Sequence, residues 1–120
     1  MDFILKALQV VIALGIFNVW FLRFCKPTAW RGGTATNMKE EFAAYGLPSW
    51  AVGVIGFLKV TLAVLLLVGL WVPELVRPAA IGMAILMGGA IAMHVKAKDT
   101  PKKSLPAFTM LVLSVIVAVF

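Results

Sequence analysis

The sequence predicts an all-α integral membrane protein: a bundle of four transmembrane helices, with a short interfacial amphipathic helix between helices one and two. Of the 120 residues, 62% are hydrophobic and 13% are charged, whereas soluble domains have about 45–50% apolar and about 25% charged residues. A soluble domain of this length has too little interior to bury so much apolar surface. The apolar residues also form long stretches without the alternation of a membrane β-barrel, so helices are expected to satisfy the backbone in lipid.

Four apolar stretches set the lengths of the expected helices. They cover residues 3–24, 50–72, 75–95 and 104–120. A bilayer core of about 30 Å needs about 20 helical residues, so the first three stretches are long enough to cross it. The fourth is marginal, and it either begins a turn earlier, near Pro101, or thins the bilayer locally. We expect all four to form one membrane domain over residues 1–120.

The longest connection, between the first two stretches, contains the signals of a short helix. Asn37 precedes Glu40 by three residues, which is the spacing of a capping box. Gly46, with Pro48 close behind, ends the helix. Its apolar residues follow the helical spacing i, i+4, i+7; they are Met38, Phe42 and Tyr45. The other positions carry charged residues, so we expect this helix to lie in the plane of the interface.

The other two connections are short. Only Val72-Pro73-Glu74 joins the second and third stretches, which predicts a tight antiparallel hairpin. Pro73 cannot continue the preceding helix, whereas Pro78 is tolerated in the first turn of the next. The last connection is basic and contains Pro101.

The distribution of Lys and Arg predicts the orientation. The first and third connections with their flanks hold eight of the eleven basic residues, and the opposite side holds Lys6 and Arg77. The eight are Arg23, Lys26, Arg31, Lys39, Lys96, Lys98, Lys102 and Lys103. The positive-inside rule therefore places these connections in the cytoplasm and both termini outside, in a plasma or inner membrane. The net charge of +6 indicates affinity for anionic membrane lipids rather than for nucleic acid.

Lys59 is the most informative candidate for a functional site. It is the tenth of the 22 residues from Trp50 to Trp71, so it lies roughly 13 Å from one end of the helix and roughly 18 Å from the other. A lysine at the centre of a membrane helix costs about 2.5–3.5 kcal/mol on insertion scales. It either binds a ligand or a buried polar partner, or it snorkels toward the interface. We expect it to point into the bundle, toward transmembrane helix one or three.

Asn18 and His94 are two further candidates for ligand binding. Asn18 lies at membrane depth in the first stretch, where its amide can also serve a structural hydrogen bond between helices. His94 lies at the cytoplasmic end of the third stretch. It either anchors that end of the helix at the interface or faces a ligand and handles protons.

Small residues recur at every fourth position of the third stretch. The row consists of Ala80, Ala84, Gly88 and Ala92. Such a row lets a neighbouring helix approach closely. We therefore expect Ala84 and Gly88 to face another helix, either within the bundle or across a homo-oligomer.

The sequence lacks the residues that several kinds of functional site need. Cys25 is the single cysteine and His94 the single histidine, so we expect no internal disulfide and no zinc site of the usual composition. The sequence has no phosphate loop, nucleophile elbow or pair of haem histidines. No catalytic residue and no cofactor of its own are therefore expected, and an enzyme is disfavoured. Redox chemistry would need a partner's cofactor or a lipid-soluble molecule such as a quinone.

A series of motifs between residues 42 and 107 resembles the DoxX-like membrane proteins. The motifs are Gly46-Leu47-Pro48, Gly53-Val54-Ile55-Gly56-x-x-Lys59, Leu65-Leu66-Leu67, Arg77-Pro78-Ala79-Ala80, Met87-x-Gly89-Ala90-x-x-x-His94, Asp99 and Pro106-Ala107. The most specific element is the intramembrane lysine combined with the motif that ends in His94. Family members often carry Gly-x-x-Lys near the end of helix one, where this chain reads Asn18-Val19-Trp20-Phe21-Leu22-Arg23 and keeps only a basic residue.

The resemblance implies a four-helix bundle and two hypotheses for function. Relatives suggest accessory subunits of quinone-linked oxidoreductases, partners of thiol-oxidative-stress enzymes, and assembly chaperones. The favoured hypothesis is accordingly a non-catalytic accessory or chaperone-type protein that binds another membrane protein or oxidoreductase. The alternative is a quinone or lipid-like molecule bound inside the bundle at Lys59, with Asn18 and His94 as further contacts.

Overall fold

The computed structural model describes residues 2–25, 35 and 37–120. Their helices are α1 (Asp2–Phe17), α2 (Met38–Ala44), α3 (Trp50–Val68), α4 (Val76–Lys96) and α5 (Leu105–Val119). A π-helical turn, Asn18–Leu22, extends α1, and 3₁₀ turns at Pro73–Leu75 and Pro101–Ser104 precede α4 and α5. The described residues contain no strand. The predicted all-α fold is confirmed.

Four helical segments are long and apolar enough to cross a membrane. They are Phe3–Leu22, Trp50–Val68, Pro73–Lys96 and Pro101–Val119. The fourth segment reaches this length because a 3₁₀ turn at Pro101–Ser104 precedes α5, which agrees with the first of the two alternatives, an earlier start near Pro101. Large apolar side chains such as Phe57, 71% exposed, and Phe21, 65% exposed, cover the outside of the bundle, where lipid rather than water is the solvent. Lys26 and Arg31, which contributed to the topology prediction, lie outside the described residues.

The four long helices pack in a ring. α1 contacts α3 and α5, α3 contacts α4, and α4 contacts α5. Ile12, Leu66 and Met83 are fully buried between them. The Gln9 amide in α1 donates a 2.8 Å hydrogen bond to the carbonyl of Leu66 in α3. Hydrogen bonds between membrane helices of this kind contribute about 0.6–2 kcal/mol.

The short helix α2 is capped at both ends as predicted. The Asn37 side chain accepts a 2.8 Å hydrogen bond from the Glu40 N–H. At the other end, Gly46 adopts φ = +76°, and the Leu47 N–H reaches back to the carbonyl of Phe42 at 3.1 Å. This is a Schellman motif, for which glycine is favoured because it has no Cβ to clash at positive φ.

The row of small residues in α4 does not follow one helix interface. Ala80 is fully buried, Ala84 and Gly88 are half-buried, and Ala92 is exposed. Positions four apart rotate by about 40° per step in a helix of 3.6 residues per turn, so the row winds away from its neighbours. A Cβ at Gly88 would meet no described atom within 4 Å. Contact of Gly88 with a second copy of the chain stays a prediction.

Candidate functional site

Residues from all five helices line an open cavity of about 900 Å³. It lies at the end of the bundle where the first and third connections meet, and it extends inward to the depth of Lys59. The three sequence-predicted residues, Lys59, Asn18 and His94, all line it. Most of the remaining wall is apolar, with Ile16, Val54, Ile55, Ile85, Leu86, Met87 and Met110 among the lining residues. Its size falls within the range of about 300–1,000 Å³ that is typical of small-molecule sites.

Lys59 reaches the cavity from the middle of α3. Its Nζ lies 5.8 Å from the centroid of the Trp20 ring, so the side chain points toward the end of α1, in agreement with the expected orientation. Among the described residues, no hydrogen bond and no ion pair within 4 Å involves this ammonium. Gly56, one turn earlier, allows the Trp20 ring to lie against α3, because a Cβ there would be 2.6 Å from Cζ3 of that ring.

Glu41 is a site residue that the sequence reasoning missed. It reaches the cavity from α2 and attracts Lys59 electrostatically, although no carboxylate lies inside the apolar stretches themselves. The Tyr45 hydroxyl donates a 2.9 Å hydrogen bond to Oε1 of Glu41. Both residues are four positions apart on α2. That spacing was the available signal, since it places a carboxylate beside the apolar face of the interfacial helix.

His94 forms a polar group with residues from three segments. Its Nδ1 lies 2.9 Å from Oδ2 of Asp99, and both side chains are buried. The Tyr45 hydroxyl lies 3.4 Å from Nε2 of His94, and Lys103 Nζ lies 3.8 Å from Oδ1 of Asp99. The group therefore joins α2, the end of α4 and the start of the α5 segment across the mouth of the cavity.

The protons of this group are limited in number. A carboxylate only accepts hydrogen bonds, so Nδ1 of His94 carries the proton that is donated to Asp99. The single hydroxyl proton of Tyr45 is donated to Glu41. The Tyr45 hydroxyl oxygen lies 3.5 Å from Nδ1 and 3.4 Å from Nε2 of His94, so it packs against the edge of the imidazole beside the cavity.

Asp99 meets His94 because α4 ends in a second Schellman motif. The Asp99 N–H donates to the backbone carbonyl of His94 at 3.0 Å, and the Lys98 N–H donates to the backbone carbonyl of Val95 at 3.0 Å. Lys98 takes the left-handed position with φ = +58°, where glycine is the usual residue. The turn folds the carboxylate of Asp99 back over the end of its own helix.

The π-helical turn places Asn18 and Arg23 on the cavity. The Arg23 N–H donates to the carbonyl of Asn18 at 2.9 Å, a bond between residues five apart. This wider turn brings both residues to the cavity wall, together with Trp20. Single π turns inside helices are frequent at functional sites. No feature of the sequence predicted this turn.

The cavity combines a mostly apolar wall with a few charged and polar side chains. The charged lining residues are three cations, Arg23, Lys59 and Lys103, and one carboxylate, Glu41. Within the part of the chain that the structure describes, no three side chains of His, Cys, Asp or Glu come together as a metal centre requires.

One comparison with known proteins gives a match. The model of the DoxX-like family matches residues 7–118, which is nearly the whole chain and includes every residue of the cavity wall. No curated protein and no solved structure matches the chain.

Proposed function

Because the chain belongs to the DoxX-like family of small membrane proteins, we propose that its bundle binds a lipid-like small molecule, such as a quinone, in the cavity at Lys59. The observation that carries this proposal is the convergence of Lys59, Asn18 and His94 on one cavity. They come from three different helices, and each was a polar exception in an apolar stretch.

The composition of the wall supports a lipid-like ligand. Apolar side chains form most of the wall, which suits a hydrocarbon or ring system. The polar groups are few and convergent, as in sites where they fix the orientation of an otherwise apolar molecule. A ligand oxygen at Lys59 would also supply the hydrogen bond that the described residues do not give to this ammonium, and so reduce the cost of placing it at membrane depth.

An accessory or chaperone-type role, which the sequence favoured, stays a prediction. No contact within the described residues bears on a partner protein. Ligand binding is compatible with such a role, since a small subunit that holds a quinone could present it to a partner oxidoreductase.

Quenching of tryptophan fluorescence tests the proposal. Trp20 and Trp50 both line the cavity, so a short-chain quinone bound there should quench their emission saturably in protein reconstituted in lipid nanodiscs. Lys59→Met should weaken this binding, because it removes the donor while nearly preserving the volume of the side chain. Lys6→Met is the matched control, since exposed Lys6 lies outside the cavity wall. Quenching that rises linearly with quinone, equally in all three proteins, would contradict a cavity site.

A further inference from the structure

We infer that the ligand head group held at the deep end of the cavity is a single carboxylate, so the ligand class is a long-chain carboxylate amphiphile, which binds the cavity more tightly than a neutral quinone does. This inference rests on the proposed function and specifies its ligand. It starts from the surroundings of Lys59, which combine an ammonium at membrane depth with an open, mostly apolar cavity.

The positive charge of Lys59 favours an anionic head group. Its contacts among the described residues are the face of the Trp20 ring at 5.8 Å and an attraction to Glu41 that acts from beyond ion-pair distance. A neutral carbonyl would accept one hydrogen bond and leave the positive charge in place. A carboxylate would accept the hydrogen bond and neutralise the charge, and charge-assisted bonds of this kind are roughly twice as strong as neutral ones.

Few hydrogen-bond donors line the membrane-spanning part of the cavity. Among the described lining residues of α1, α3, α4 and α5, Lys59 is the one lysine or arginine, and Asn18 lines the same cavity with an amide that can donate hydrogen bonds. Arg23 and Lys103 lie nearer the mouth, where the carboxylates of Glu41 and Asp99 are also found. One ammonium and one amide match the two oxygens and single charge of a carboxylate. They do not match a doubly charged phosphate monoester.

The apolar part of the cavity wall suits a hydrocarbon chain as the rest of the ligand. Ile16 of α1, Ile85 and Met87 of α4, and Met110 of α5 form an apolar wall beside Lys59. A hydrocarbon chain needs only such a surface and makes no demand on further polar groups. Methionine side chains adapt readily to the shape of a flexible chain.

A substitution of Glu41 tests whether the ligand head group is negatively charged. A bound carboxylate would share the cavity with the negative charge of Glu41, and like charges repel. Glu41→Gln should therefore tighten the binding of a carboxylate and leave the binding of an uncharged ligand unchanged. Glutamine retains an oxygen that can accept the hydrogen bond from Tyr45.

The experiment compares three brominated amphiphiles of equal chain length: a carboxylate, an alcohol and an alkyl phosphate. Bromine quenches tryptophan, so binding is followed through Trp20 and Trp50 in nanodiscs of uncharged lipid at about pH 7, where carboxylates are ionised. We expect the carboxylate to bind the unmodified protein at least about tenfold more tightly than the alcohol or the phosphate. Lys59→Met should abolish that preference, Lys59→Arg should retain it, and Glu41→Gln should increase it.

Each outcome separates this inference from the proposed function. Equal affinity for carboxylate and alcohol in the unmodified protein, or tighter binding of the phosphate, would overturn the carboxylate assignment while leaving a lipid-like ligand in the cavity. Saturable binding of none of the three amphiphiles, nor of the quinone, would overturn both. If Lys59→Met does not fold, the other two variants still test the inference. Loss of the preference for the carboxylate in Lys59→Arg would contradict it, and so would a weaker preference in Glu41→Gln.

Discussion

Gly56 determines how closely α1 and α3 approach beside the cavity. The nearest atom of the Trp20 ring lies 2.6 Å from the position that a Cβ of residue 56 would take, and Phe24 and Phe42 pack against the ring at centroid distances of 5.8 and 6.1 Å. Trp20 therefore has little room to move. Because Lys59 lies over the same ring, a substitution at Gly56 that shifts Trp20 would also alter the surroundings of Lys59.

We expect Gly56→Ala to be less stable than Gly53→Ala by about 1–3 kcal/mol, the usual cost of overpacking an interior. Gly53 is the matched control because a Cβ there meets no described atom within 4 Å, and both changes gain the same helix propensity. Unfolding of the two variants in one detergent measures the difference. Equal stability would show that the Trp20 ring moves without cost.

Lys98 provides a second prediction at the scale of one residue. Its positive φ is unfavourable for any residue with a Cβ, by about 1–2 kcal/mol. Lys98→Gly should therefore be more stable than Lys98→Ala by about 1 kcal/mol, while both lose the same charge. Thermal unfolding of the pair checks this. A more stable alanine variant would mean that the turn before Asp99 is not held in the left-handed conformation.

The residues of the candidate site differ in how visible they are in the sequence. Lys59, Asn18 and His94 stand out because each interrupts or ends an apolar stretch. Glu41 and Asp99 do not, since a carboxylate in a polar connection is ordinary until the connection folds over the bundle. Their positions depend on tertiary contacts, which a local pattern does not contain.

At the scale of elements, α2 combines predictable and unpredictable features. Its ends follow from Asn37 and Gly46, because capping is a local interaction between residues a few positions apart. Its placement over the cavity mouth depends on the contact of Tyr45 with His94, 49 positions further along the chain. The π turn at the end of α1 is likewise a tertiary outcome, since it positions Trp20 against α3.

We predict that Tyr45→Phe loosens α2 without unfolding the bundle. The change removes the hydroxyl that bonds Glu41 and contacts His94 but keeps the ring that packs on Phe42. A lost hydrogen bond of about 1 kcal/mol should accelerate amide hydrogen exchange in residues 38–44 about fivefold. Exchange in α3 should stay unchanged and serves as the internal control. Unchanged exchange in α2 would show that the helix is held by its apolar face alone.

At the scale of the whole molecule, the bundle was predictable because few backbone structures satisfy all of their hydrogen bonds in lipid. Four apolar stretches of suitable length lead to four helices, since every backbone polar group must be paired within the membrane. The order of the helices around the ring and the cavity between them were not predictable, because they depend on how closely particular side chains pack. The winding of the small-residue row in α4 shows this for Ala84 and Gly88.

The orientation in the membrane is a prediction at the same scale. Cys25, which is exposed, lies on the end of the bundle predicted to be cytoplasmic. An impermeant thiol reagent applied to intact cells should not label it, whereas Glu74→Cys, in a Cys25→Ser background, should be labelled from outside. Labelling of the native Cys25 in intact cells would reverse the predicted orientation.

Photochemical crosslinking tests the central claim, a ligand in the cavity at Lys59, most directly. A long-chain amphiphile with a photoreactive group in its chain is bound to the reconstituted protein, irradiated and mapped by mass spectrometry. We expect saturable labelling of inward residues such as Met87 and Met110, prevented by excess unlabelled amphiphile and lost in Lys59→Met. Labelling confined to outward residues such as Phe57 and Ile81, rising without saturation and unchanged in Lys59→Met, would contradict it.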